Sequence, residues 1–348
     1  MKLVNFSLVT ALVVLSVYLL IVGQALLLPL VIAIVFWFLI NLLASSFARI
    51  NLAGRPLPYP ACFTFSIFTF IGIIWLGVNL ISMNIGAVVE VAPSYQDNLE
   101  LRMHDFLAYF NIEETPTFSQ VAEIINLREF ITTMASSLTS IAANSGVIFI
   151  YLIFLLLEQG NFDNKVSALF TDVGKEKSVR RLLRKIGEDV RKYISIKMLT
   201  SSLTGILSYL FLIMVGVDFA ELWALLIFLL NFIPTIGSIV ATVFPSLITL
   251  VQFESLTPFF LVAGGVSGIQ VLIGNIVEPR LMGKSLNLSP MIILLNLSLW
   301  GMIWGVPGMF LCVPVLVICM IVLSHLPQTR AIAVILSRDG QINTVHDD

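Results

Sequence analysis

The sequence predicts an all-α polytopic membrane protein with about eight hydrophobic segments, two of them re-entrant helical hairpins in an inverted-repeat-like arrangement. Three observations carry that prediction. The 348 residues are 58% apolar and only 11% charged, against roughly 25% charged in an ordinary soluble domain. Several apolar runs approach or exceed the ~20 residues that cross a hydrocarbon core. Two of those runs, both in the second half, are interrupted by proline and glycine in matching places.

The apolar segments fall at 7–28, 29–47, 61–83, 143–157, 194–217, 222–251, 258–277 and 290–323. Gly23, Gln24 and Pro29 divide the first run into two helices, and no small-residue cleavage site follows it, so it reads as a retained helix. The loop at 46–60, SFARINLAGRPLPYP, is turn chemistry. Residues 1–83 thus form an N-terminal set of transmembrane helices.

Residues 84–142 form an acidic helical region, with eight carboxylates (Glu90, Asp97, Glu100, Asp105, Glu113, Glu114, Glu123, Glu129) against two arginines. Residues 143–193 supply a transmembrane helix and the basic run KEKSVRRLLRKIGEDVRK (175–192). Ten lysines and arginines between 158 and 197 place that run in the cytoplasm and the acidic region across the membrane. Counting back through three crossings puts the N-terminus in the cytoplasm. Val179, Leu182, Leu183, Ile186 and Val190 recur at helical spacing between the charges. A helix of that pattern lies against anionic lipid or the protein's own core. Acidic residues interrupt the basic face, which argues against a nucleic-acid partner.

Cys62, Cys312 and Cys319 all sit in apolar runs, and His104, His325 and His346 are scattered. Neither a metal site of protein ligands nor a cofactor is expected.

The run 222–251 is too long for one ordinary span and too short for two. The 12 residues before Pro234 reach only about 18 Å as helix, and the 17 after it about 25 Å, interrupted again by Pro245. A hairpin that enters and leaves by one face accommodates these lengths; the alternative is a single tilted, kinked helix. The hairpin delivers Arg280 and Lys284 to the cytoplasm, as positive-inside asymmetry favours. In 290–323, Gly305, Pro307 and Gly308 interrupt the segment in the same way. Each half of 194–323 is then a full helix followed by a broken hairpin, the first entering from outside and the second from the cytoplasm. Paired interrupted segments of opposite orientation mark the substrate site of inverted-repeat secondary transporters, because irregular backbone survives at membrane depth only against protein or a water-filled cavity. The remaining residues, 324–348, form a cytoplasmic tail.

Between the hairpins, Asn275, Glu278, Pro279 and Arg280 close an apolar helix. Glu278 and Arg280 are two apart and do not face each other on a helix, but are placed to join a network with Asn275 or a hairpin tip. An ionisable residue at membrane depth is a functional candidate, with interfacial anchoring the competing explanation. Asp218 and Glu221 fit a solvated outer turn and helix N-terminus or a cation site. MGKS (282–285) lacks the first glycine of a phosphate-binding loop, since Glu278 stands there. GVSG (265–268) suggests an intramembrane serine protease, but no suitable base is at hand, and Gly264 with Gly268 fits a close helix-packing face.

NFIPTIGSIVATVFPSL (231–247), GNIVEPRLMGKSLNLSP (274–290) and WGVPGMFLCVPV (304–315) are similar to signature stretches of the autoinducer-2 exporter family of bacterial inner-membrane transporters. AIAVILSRD (331–339) and the paired first helices resemble that family too. The resemblance implies eight hydrophobic segments with two re-entrant hairpins, and a homo-oligomer, a pentamer, in which a hairpin-bearing transport unit (194–323) moves against a scaffold. It implies export of autoinducer-2, a quorum-sensing signal, or of a similar small polar solute. By motif match it carries over Asn231, Pro234, Gly237, Pro245, Asn275, Glu278, Pro279, Arg280, Gly283, Gly305, Pro307 and Gly308. With Thr235 and Ser238, the tips at 231–238 and 305–308 would present backbone groups and an amide to a hydroxylated solute, and Glu278 and Arg280 would gate it. Some relatives implied by the resemblance are sodium(lithium)/proton antiporters; that alternative needs a carboxylate to trade a proton for a cation, Glu278 or Asp218. A third possibility is a non-transporting scaffold that binds a partner through its acidic region.

Overall fold

The structure, a computed structural model, describes residues 2–49, 51, 52, 55–109, 145–170, 172–283, 287–325 and 328–340. Among these residues it is all-helical apart from a two-residue antiparallel pair, Asn51 opposite Pro56 and Leu52 opposite Arg55. In chain order the helices are α1 (Lys2–Val22), α2 (Gln24–Phe47), α3 (Tyr59–Tyr109), α4 (Ser145–Glu158), α5 (Phe162–Leu169), α6 (Val173–Val215), α7 (Ala220–Leu230), α8 (Ile236–Gln252), α9 (Thr257–Met282), α10 (Pro290–His325) and α11 (Arg330–Leu336).

Among the described residues, six stretches are long and apolar enough to cross a membrane: α2, the Tyr59–Asn84 part of α3, Ser145–Leu169, α6, α9 and α10. The apolar parts of α1, α7 and α8 are shorter. Burial follows membrane logic. Large apolar side chains such as Phe68, Trp75, Phe154, Met214 and Met302 are exposed, while Ser66, Thr200, Ser201, Thr204 and Thr249 are buried. In water an exposed surface of that kind would associate; in hydrocarbon it is solvated, and polar groups turn inward to find partners. The chain is a multi-span membrane protein.

Two compact units make up the chain, one from 1–68, 141–195 and 282–348, the other from 69–140 and 196–281. In the first, α2 packs on α4, and Ala33, Ile40 and Ala44 of α2 are essentially buried. The Trp37 indole N–H donates to Gln159 Oε1 at 2.8 Å. Arg180, on the basic start of α6, ties that helix to α5: it donates to Asp163 Oδ1 and O, to Ser167 Oγ and to Glu176 Oε1 at 2.7–2.9 Å. The 287–289 segment is held by the exit from α11, with Ser289 N–H donating to Leu336 O and Arg338 N–H to Asn287 O.

Several boundaries differ from the sequence expectation. The first break falls at Gly23, not at Pro29, which lies buried inside α2. Helical bonding passes almost uninterrupted through Gly23 (Gly23 N–H to Leu19 O, Leu27 N–H to Gly23 O). Pro29 is the sixth residue of α2, so it cannot supply the helical bond to the Ala25 carbonyl, yet the helix runs on through it. The basic helix and the span beginning at 194 are one 43-residue helix, α6. Helix α3 runs on to Tyr109, so the acidic region begins as its continuation; residues 110–142 of that region lie outside the described residues.

Candidate functional site

The second unit is framed by α6 and α9, which run in opposite directions. A Cβ at Gly265 of α9 would lie 2.2 Å from the ring of Phe211 on α6. Thirteen residues further along α9, Glu278 meets Lys197, fourteen residues back along α6. Gly264 and Gly268, the expected packing glycines, face open space; Gly265 between them makes the close approach.

Helices α7 and α8 fold back on each other beside this frame. Their outer ends are tied together by Gln252, whose amide donates to Gly216 O (2.7 Å) and accepts from the Asp218 N–H (2.9 Å). Trp223, Leu226 and Leu230 of α7 meet Val240, Ala241, Phe244 and Pro245 of α8 across a narrow apolar crevice. The turn between them requires its sequence. Thr235 adopts φ +60, unusual for a β-branched residue. A Cβ on Gly237 would lie 1.8 Å from the Leu230 carbonyl oxygen, so no other residue fits there. The Ser238 hydroxyl donates to Thr235 O, and its own carbonyl accepts from Gln270 of α9 at 3.0 Å. Gln270 also donates to Thr242 Oγ1. Pro234 sits in the turn, its carbonyl accepting from Ile236 N–H.

The turn reaches α6 through Asn231, whose amide donates to Ser201 Oγ at 2.9 Å. From Ser201 to the end of α6 at Val215 is about 21 Å of helix. The α7–α8 pair therefore extends from the end of α6 to Ser201 and stops there.

Slightly more than one further turn along α6, Lys197 donates from Nζ to both carboxylate oxygens of Glu278, at 2.9 and 3.0 Å. The side chains are 9% and 15% exposed, so this ion pair is largely withdrawn from solvent. The Thr200 hydroxyl lies 3.3 Å from Glu278 Oε2 and 3.2 Å from Lys197 O, its single proton shared between the two. Lys197, Thr200, Ser201, Thr204 and Ser208, all buried, occupy one face of α6 at helical spacing. Ser208 Oγ and Trp223 Nε1 are buried without a hydrogen-bond partner among the described residues.

Helix α9 does not end at Pro279, as the sequence suggested. A π-helical turn at Leu272–Val277 precedes Glu278, whose N–H donates to Ile273 O five residues back, and helix continues to Met282. The wider turn accommodates a proline that has no N–H to give. Asn275, Pro279 and Arg280 are exposed, and Arg280 makes no ion pair among the described residues. Gly283, at φ +58, closes α9. The partner of Glu278 is Lys197, a residue the sequence reading passed over as one of ten bases, although it is the single charge inside the apolar run 194–217. Asp218, exposed beyond the end of α6, is about 22 Å of helix from the level of Thr200 and belongs to no common site with Glu278.

In the first unit, α10 is broken at Gly305, whose φ 63, ψ −141 only glycine adopts. The Asn296 amide donates to Cys312 O, a pair that a straight helix would hold about 24 Å apart, so the chain reverses here too. The closure repeats that at Gly237. A Cβ on Gly308 would lie 2.1 Å from Trp300 O and 3.1 Å from Trp304 Cβ. Pro307 lies beside the break, and the Trp304 indole N–H donates to Leu20 O of α1.

Residues 8–328 match the family described as "AI-2E family transporter". A presumptive transport protein of Borreliella burgdorferi is 34% identical over 260 residues, covering 73% of this chain and 70% of the relative. YhhT of Escherichia coli (strain K12), also named as a presumptive transport protein, is 27% identical over 311 residues, 88% and 86% of the two chains. The AI-2 transport protein TqsA of the same organism is 33% identical over 222 residues, 63% of each chain.

Proposed function

The chain belongs to the AI-2E family, a family of bacterial membrane transporters and not of enzymes, and on that premise we propose that it is a secondary exporter of autoinducer-2 or a similar small polar solute. It works by alternating access and is coupled to an ion gradient. The observation that carries this reading is two hydrogen-bonded groups on adjacent turns of α6, Lys197–Glu278–Thr200 and Ser201–Asn231, inside an apolar unit and gathered where a broken helix ends. Ionisable groups at membrane depth and interrupted helices are the two features from which such pathways are built.

In this reading α7–α8 and the two limbs of α10 are re-entrant, 194–323 is the transport unit and 1–83 the scaffold. The Asn231 amide and the turn at 231–238 bind the hydroxylated solute, and Glu278 gates. The basic start of α6 faces the cytoplasm of the inner membrane, as do both termini. The α7–α8 pair then enters from outside, and Lys197–Glu278 lies between its tip and the cytoplasm. The working form is a homo-oligomer, a pentamer.

The burial of Glu278 specifically favours a second reading, sodium(lithium)/proton antiport, with Glu278 rather than the exposed Asp218 as its carboxylate. Reconstituted full-length protein tests both. Vesicles loaded with autoinducer-2 should release it faster under an imposed proton or sodium gradient. Movement of cations and protons with no solute efflux selects the antiporter; movement of nothing rejects both.

A further inference from the structure

We propose that the proton exchanged at this site is carried by the Lys197 ammonium and not by the Glu278 carboxylate. The proposal rests on the ion-coupled reading above and names the group that does the coupling. Both Glu278 oxygens are occupied by one ammonium, and the Thr200 hydroxyl adds a third oxygen at Oε2. When the ammonium withdraws, these oxygens suit a hard monovalent cation such as sodium or lithium.

Charge balance then decides where the proton is. The pair is neutral overall, and among the described residues neither partner makes a second ion pair within 4 Å. From the α7–α8 turn comes the neutral Asn231 by way of Ser201. From α9, Arg280 is exposed and unpaired among the described residues, and Asn275 is exposed and neutral. A sodium ion added to Glu278 beside an intact ammonium would leave a net positive charge in a buried site, which is strongly unfavourable. Loss of one ammonium proton restores neutrality. In that step the sodium ion takes the carboxylate and hydroxyl oxygens and one Nζ–H bond breaks. The electron pair stays on nitrogen, the proton passes to water, and the net charge of the site is unchanged. Exchange is therefore one for one and electroneutral.

The test uses full-length protein in vesicles carrying an internal pH-sensitive dye, pulsed with sodium or lithium with and without a clamped membrane potential. The wild type should move protons at a rate independent of the clamp. Lys197→Arg keeps a cation on Glu278 that cannot give up its proton, and should lose proton movement at least tenfold. Lys197→His titrates in a lower range and should retain exchange with its pH profile shifted towards acid. Wild-type rates in Lys197→Arg, or an unshifted profile in Lys197→His, would overturn the proposal. So would a wild type that moves no protons on either pulse, whereas autoinducer-2 efflux from the same vesicles judges the solute-transport reading separately.

Discussion

Lys197 and Glu278 are 81 residues apart in the chain, yet the ammonium of one donates to both carboxylate oxygens of the other at 2.9 and 3.0 Å. Two charges removed from water in this way are weak evidence for stability, but either one left alone is costly. The pair therefore locks α6 to α9 only while both partners are charged, as a gate requires.

Single neutralisation should destabilise strongly. Glu278→Gln or Lys197→Met should each cost about 3–5 kcal/mol, because each strands a buried charge. The double variant should regain most of that loss. Thermal unfolding of the solubilised protein measures all three, and additive losses would mean the pair is not coupled.

The two chain reversals should share a sensitivity. Gly237→Ala and Gly308→Ala drive a methyl group into the carbonyls of Leu230 and Trp300, with a cost of ~1–3 kcal/mol or more. Gly264→Ala, which meets open space, should be tolerated. Chromatographic homogeneity and melting temperature separate the groups.

Asn231→Ala and Ser201→Ala remove the same hydrogen bond. Each should cost about 1 kcal/mol and slow transport, and the double variant should be no worse than Asn231→Ala alone. A double variant with summed defects would show that the two side chains act separately.

The membrane placement of α7–α8 predicts a labelling pattern. Asp218 and Ser255 are both exposed, on either side of that pair. Cysteines at 218 and 255 should react with an impermeant thiol reagent from the same face of the membrane. Labelling from opposite faces would make 220–252 a single kinked crossing.

The breaks were legible in the sequence because proline removes a helical donor and glycine admits positive φ, both local effects: NFIPTIG and WGVPG mark two reversals that the structure shows as Thr235 at φ +60 and Gly305 at φ 63. Glu278 could be singled out for the same reason, as a carboxylate closing an apolar run. Lys197 stands out too, as the one charge inside the run 194–217, but its pairing with Glu278 does not, since nothing local relates position 197 to 278; the contact comes from the antiparallel register of α6 and α9, which Phe211 and Gly265 set. The end of α9 was misplaced because proline normally stops a helix, and a π-helical turn before Pro279 removes that conflict. The glycine pair was displaced by one residue because GVSG and its neighbours fix helical spacing but not which side meets a neighbouring helix.

The central claim, that this is a transporter whose coupled step runs through Glu278, is tested most directly by autoinducer-2 efflux from vesicles under an imposed ion gradient. The wild type should respond to the gradient, and the charge-neutral double variant Lys197→Met/Glu278→Gln, folded but without the pair, should release solute at a rate the gradient no longer changes. A double variant whose efflux still follows the gradient as the wild type does would contradict the account.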